Sequence, residues 1–263
     1  DASTIELCLK VFDWARFRRA KGAVKLHLLL NHQGYLPCGA MIADGQTHEV
    51  NRARLLTLPA GAIVAMDRGY NDYTLLASWT QAGVYFVTRL KDNAVYEVQK
   101  QQAVDGEKIR ADQTIVLSSA AAREHCPHPL RRVVVWDEEQ QREIVLLTNI
   151  RHLAAGTVGA IYKDRWQIEL FFKALKQNLK VKTFVGTSEN AVRIQLWTAW
   201  ITILLLKFMQ LKSILGWSLS NLSALFRMVL LTYRDLWHWL DEPLGPPDDP
   251  APAPQGELFA GLV

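Results

Sequence analysis

Tyr162, Arg165, Glu169, Lys173 and Lys176 place a phenol, three cations and a carboxylate within fifteen residues. At about 100° per residue, all five share one helix face about 80° wide. Ile161, Ile168, Phe172, Leu175 and Leu179 form an adjacent apolar stripe that would pack on a sheet. Such a helix, expected from Val158 onward, would hold one carboxylate rigidly among groups that bind anions. The same spacing also suits a solvated face laced by i,i+4 ion pairs.

Two further acids stand where ligands are often bound. Asp67 follows the apolar run Ala62–Met66, at the carboxyl end of a candidate strand. Gly69, two residues on, permits a tight turn and a close backbone approach. As an alternative, Asp67 is only a turn or capping residue. Asp1 opens the first alternating strand, and a chain-end acid by itself carries little information.

The elements that must position these residues are legible as alternation and periodicity. Ile5–Val11, Val24–Leu30 and Tyr35–Ala43 read as strands, the last two joined by a turn at Asn31–Gly34. Thr47–Leu58 reads as a helix with Thr47 as N-cap, stopped by Pro59-Ala60-Gly61. Ala62–Met66 is a strand buried on both faces, Tyr73–Ala82 a helix and Val84–Leu90 a strand. This order predicts an α/β layer fold with a mixed sheet. From Thr88 to Arg151 the pieces Val95–Gln99, Thr114–Ser118, Arg131–Trp136 and Glu143–Thr148 read as a β-rich insertion. The chain is then helical from Val158 to about Leu240. The tail Asp241–Val263 holds six of the ten prolines and is expected to be disordered or loosely docked. The domain reading is a first core part at 1–90, the insertion at 91–151, a second core part at 152–240 and the tail at 241–263.

The composition, 49% hydrophobic and 21% charged over 263 residues, excludes wholesale disorder. A net charge of +4 permits nucleic acid as a partner without requiring it. Cys8, Cys38 and Cys126 lie far apart, which supports neither a disulfide framework nor a zinc ribbon and fits a reducing, intracellular setting. Ile194–Leu206 is uncharged over 13 residues, shorter than the roughly 20 needed to span a bilayer, and is expected to be a buried core helix. No signal peptide opens the chain; its first residue is Asp, so it is read as starting mid-protein or after processing.

Three segments together resemble one family: D-A-S-T-I at Asp1–Ile5, A-M-D-R-G-Y-N-D at Ala65–Asp72, and Y-K-D-R-W-Q-I-E-L-F-F-K-A-L-K at Tyr162–Lys176. They look like the bacterial insertion-sequence transposases with a DDE triad, of the insertion-sequence-four group. Residues 162, 165, 169 and 176 match that group's Y-x2-R-x3-E-x6-K signature at every spacing. The resemblance covers roughly residues 1 to 215.

The resemblance implies an RNase H-like catalytic core interrupted by a β-rich insertion between the second aspartate and the glutamate. It also implies that Asp1, Asp67 and Glu169 are the catalytic, metal-binding triad, and that Tyr162, Arg165 and Lys176 contact transposon-end DNA. The implied partner is double-stranded DNA, engaged by a homodimer in the bacterial cytoplasm. The chemistry suits the residue types. Phosphodiester cleavage needs a deprotonated nucleophile and a neutralised leaving oxygen, which two divalent cations can supply. An all-carboxylate set fits Mg²⁺ or Mn²⁺ better than zinc. Arg165 can hold a phosphate bidentately, Lys176 acts as a point charge and Tyr162 as a hydroxyl donor. The implied activity is DNA cleavage and strand transfer. A DNA-binding remnant without activity and a nuclease that never joins strands are the alternatives.

Other features carry weaker signals. Trp14–Lys25 has five positive charges and no acid, so Arg16, Arg18, Arg19 and Lys21 make a candidate phosphate-tracking surface alongside Lys173. Trp136 could stack on a displaced base or pack on its own hairpin. His125, Cys126 and His128 are read as a surface loop, interrupted by Pro127 and Pro129, rather than as a metal cluster. Trp197, Trp200, Trp237 and Trp239 are expected to pack the core of the terminal helices.

Overall fold

The computed structural model describes residues 1–18, 21–104, 106–178, 184–229, 231, 232 and 234–245, apart from the side chains of 16–18, 21 and 178. The chain divides into two compact units, Asp1–Leu30 with Pro37–Phe171, and Asn31–Leu36 with Phe172–Val263. The proline-rich stretch 246–263, Arg19 and Leu179 lie outside the described residues.

In the first unit, β1 (Ala2–Leu7), β2 (Arg16–Arg18), β3 (Lys21–Leu30) and β4 (Pro37–Asp44) form an antiparallel sheet in which β3 pairs with all the others. Ile5 and Leu7 are buried while Glu6 is exposed, the period-2 alternation of a strand with one face on the core. The strand starts and ends earlier than its alternation suggests. Val11 and Phe12 N–H groups both donate to the Cys8 carbonyl, turning the chain where Leu9 and Lys10 seemed to continue it.

The helix expected over Thr47–Leu58 is short: α1 spans Glu49–Ala53, capped by the His48 side chain rather than by Thr47. Leu55 and Leu56 revert to i→i−3 hydrogen bonds, tightening the chain as it nears Pro59, whose predecessor disfavours the helical region. Next come β5 (Ile63–Ala65), a 3₁₀ turn at Arg68–Tyr70, α2 (Tyr73–Gln81) and β6 (Tyr85–Arg89). The β-rich stretch supplies β7 (Tyr96–Gln101), β8 (Ile109–Leu117), β9 (Leu130–Asp137) and β10 (Arg142–Thr148). Between β8 and β9 it also holds a short helix not foreseen, α3 (Ala120–His125), capped by Ser119.

The fold is mixed α/β, but its strands fall in two sheets. The second is six-stranded in the order β5-β6-β10-β9-β8-β7, parallel only at β5–β6. The four strands of the β-rich stretch pair with one another in chain order and, through β10 on β6, extend the sheet of β5 and β6. An apolar core on one side of this sheet includes Leu75, Leu76, Phe86, Ile115, Leu130 and Leu147. Cys126 is buried in it too, so the His125–His128 stretch is only partly a surface loop.

Thereafter the chain enters α4 (Ala155–Asp164) and α5 (Trp166–Asn178), two helices separated at Arg165 rather than the one continuous helix expected. Arg165 N–H donates to Tyr162 O at 3.3 Å and Ile168 N–H to Arg165 O at 3.2 Å, so both bonds across the break are i→i−3. Ile168, Phe172 and Leu175 are buried as the stripe predicts, and so is Phe171.

The second unit continues through α6 (Glu189–Lys212), α7 (Leu219–Val229) and α8 (Leu236–Asp241). Leu206, Met209, Leu222, Trp239 and Leu240 form its core. The buried-helix expectation for Ile194–Leu206 holds for one face only. Leu196, Trp200 and Ile203 are buried, whereas Ile194, Trp197, Ile201 and Leu205 are exposed. The four tryptophans split the same way, with Trp200 and Trp239 buried and Trp197 and Trp237 about half exposed. By length and composition alone, α6 is long and apolar enough to cross a bilayer.

Candidate active site

Asp67 reaches its place through local chemistry. It ends β5 and caps the 3₁₀ turn, its Oδ1 accepting the Gly69 N–H at 3.0 Å, while its carbonyl accepts from the Thr88 hydroxyl of β6. Asn71, only 2% exposed, donates from Nδ2 to the Arg89 carbonyl at 2.8 Å and ties the turn to the end of β6. Asp72 then accepts the Leu75 N–H at 2.9 Å and starts α2. Capping is thus part of what Asp67 does, as the alternative reading held, and its side chain is exposed as well.

Asp1 is fixed by the ladder. Its backbone nitrogen donates to Leu28 O and the Leu28 N–H returns to Asp1 O, both at 2.8 Å. That leaves the Asp1 carboxylate, 14% exposed, facing Arg165.

Arg165 joins two of the three acids. Its Nη1 lies 3.1 Å from Asp1 Oδ2 and its Nη2 2.8 Å from Glu169 Oε1. The guanidinium is 13% exposed and its centre sits 5.5 Å from the Tyr162 ring. Burial opposes its charge, but the Glu169 hydrogen bond and the fields of Tyr162, Glu169 and Asp67 outweigh that and raise its pKa. Burial also raises the Tyr162 phenol, with the Arg165 and Arg89 charges pulling the other way and Asp67 reinforcing the rise. Asp67 therefore acts on the same guanidinium that Asp1 and Glu169 hold, although no bond joins it to them. Among the described residues, no three His, Cys, Asp or Glu side chains are close enough together to hold a metal ion. The donor chemistry still fits a hard divalent cation: every candidate donor is a carboxylate oxygen, and a cationic group already sits between two of them.

Lys173, exposed, and Lys176, half-buried, follow on α5 within the stretch assigned to the second unit. Arg16 and Arg18 of β2 pair antiparallel with Gly22 and Lys21 of β3, at the edge of the first sheet. Trp136 is half-buried near the end of β9, and the Arg110 guanidinium of β8 lies 5.5 Å from its ring. Glu49, at the start of α1, is an acid near the site that no motif marked. Its carboxylate acts on the Tyr70 phenol, while Lys25 pairs with it at 3.5 Å.

Residues 1–206 match the model of the transposase DDE domain, which covers both motif aspartates and Glu169. The chain belongs to the transposase DDE domain family. Among its relatives in that family is a protein named as the transposase y4zB of Sinorhizobium fredii (strain NBRC 101917 / NGR234), 34% identical over 203 residues, 75% of this chain and 56% of that one. A protein named as a transposase for insertion sequence element IS5377 of Geobacillus stearothermophilus is 31% identical over 232 residues, 86% and 60% of the two chains. One named for insertion sequence element IS4SA of Synechocystis sp. is 27% identical over 229 residues, 83% and 63% of the two chains. This DDE domain chain spans about three fifths of the length of these relatives.

Proposed function

We propose that this chain is the catalytic part of an insertion-sequence transposase, cleaving DNA at element ends and joining those ends to target DNA. In this reading it is of the insertion-sequence-four group with an RNase H-like core, working as a homodimer on double-stranded DNA in the cytoplasm. Asp1, Asp67 and Glu169 would hold Mg²⁺ or Mn²⁺, with two ions as the expected number. Such ions supply Lewis acidity and a nucleophile ionised near neutral pH. Arg165 and Tyr162 orient and neutralise a phosphate of the cut strand. Lys173, Lys176, Arg16, Arg18, Arg19 and Lys21 add cationic contacts to the backbone. Trp136 offers a stacking face to an unpaired base.

The observation that carries this reading is the Arg165 bridge. It brings together Asp1 and Glu169, which are far apart in sequence, and Asp67 acts on the same group. Isosteric loss of one acid tests it. Glu169→Gln and Asp67→Asn are expected to abolish Mn²⁺-dependent cleavage of element-end duplexes while circular dichroism stays native. Cleavage near the wild-type rate by either variant would remove that acid from the mechanism.

A further inference from the structure

Arg165 stands where a cation is wanted. Its two terminal nitrogens are each engaged by a different carboxylate, at 3.1 Å from Asp1 and 2.8 Å from Glu169. The third donor, Nε, is buried with no acceptor. A buried unpaired N–H is unfavourable, so this guanidinium is well held but not fully satisfied. Its backbone sits at the break between α4 and α5, where the bonds on both sides have the shorter i→i−3 span. The stem is therefore not part of a regular helical turn.

A divalent cation bound between Asp1 Oδ2 and Glu169 Oε1 would take the two oxygens that Arg165 now holds. The displaced guanidinium must then find another anion, because it remains charged at any ordinary pH. A phosphodiester offers two non-bridging oxygens that the planar guanidinium fork can hold bidentately, and so an acceptor for the unpaired edge. We propose that Arg165 is the exchangeable counter-ion of this site: in the free chain it neutralises Asp1 and Glu169, and it passes to a DNA phosphate when a divalent cation takes the carboxylates. Cation binding and DNA binding are then thermodynamically coupled, each strengthening the other by the same factor. The inference rests on the proposed role of the carboxylates and adds to it a reason for the free protein to hold metal weakly. The site would charge itself only in the presence of its substrate.

The test is Mn²⁺ titration of the chain by electron paramagnetic resonance, with and without a 20-base-pair duplex, and the reciprocal titration of duplex binding with and without Mn²⁺. Wild type is expected to bind Mn²⁺ several-fold more tightly with duplex present. Arg165→Gln should bind it several-fold more tightly than wild type without duplex, and gain little more when duplex is added. Arg165→Lys keeps the charge but cannot span two carboxylates; it is expected to fall between them, which a pure field effect would not produce. A melting curve on each variant confirms the native fold, and Arg165→Lys carries the test if the glutamine variant does not fold. If Arg165→Gln binds Mn²⁺ no better than wild type, or keeps the full coupling to duplex, the exchange is refuted while the carboxylate reading stands. If Glu169→Gln and Asp1→Asn leave Mn²⁺ binding unchanged, both the exchange and the carboxylate reading fall.

Discussion

Asp112 and Arg131 face each other across β8 and β9 with 6% and 8% of their side chains exposed. Arg131 gives Nε and Nη2 to the two carboxylate oxygens at 2.8 and 2.7 Å, and its Nη1 to the carbonyls of Ile150 and Leu153 at 3.2 and 2.6 Å. One buried guanidinium thus ties the sheet to the connection that feeds α4, and through it to Tyr162 and Arg165. Asp112→Ala is expected to destabilise the fold by roughly 3–5 kcal/mol, since it strands a buried charge; urea unfolding measures it, and a loss below 1 kcal/mol would show water reaching Arg131. His27 makes a separate prediction about pH. Burial first, then the charges of Lys25 and Arg52, lower its pKa to about 4. The neutral ring is favoured in the folded state, so its contribution is complete above the unfolded value near 6.5 and is lost as pH falls toward about 4. Acid should therefore remove stability of order 1–3 kcal/mol over that window, and His27→Gln should flatten this limb of the stability–pH curve. At this scale the pairing of Arg165 with Glu169 was legible, because their i,i+4 spacing puts both on one helix face. Asp112 and Arg131 were not, because their meeting depends on a strand register that neither segment encodes alone.

Elements were legible where one period ruled and missed where two competed. Helix α2 and strand β6 fall within a residue of their sequence limits, since each is bounded by a cap or a glycine turn. The break at Arg165 was invisible, because the apolar stripe continues through it and only the hydrogen bonds change. How the β-rich stretch joins the sheet was hidden for a similar reason: alternation locates strands but not their partners. Strand β10 pairs with β6 at Leu146, Leu147 and Thr148, and Asn149 just beyond it accepts the Phe86 N–H and donates to Val84 O and the Thr80 hydroxyl. Replacing 92–148 with a Gly/Ser linker would strip β6 of its central neighbour. The expected result is loss of cooperative unfolding by circular dichroism, and a sharp native-like transition would show that β5 and β6 stand without it.

At the scale of the whole molecule, α6 presents two apolar faces that should behave differently. Trp200→Ala, on the buried face, is expected to be destabilising by about 3–5 kcal/mol. Ile201→Lys with Leu205→Lys, on the exposed face, should stay within about 0.5 kcal/mol of wild type per site. Guanidinium titration of both variants checks this, and an equal loss in the two would mean that the outer face is covered.

The Asp1–Arg165 bridge closes over 164 positions of chain. Nearly all of the first unit must therefore be synthesised before the two ends of the candidate site can meet. A ribosome-tethered chain that has emitted Asp1 and Asp67 holds two acids but neither Arg165 nor Glu169. On the proposed reading, such a nascent chain is inert toward nearby DNA, and the ability to cut arrives only with the last helix of that unit.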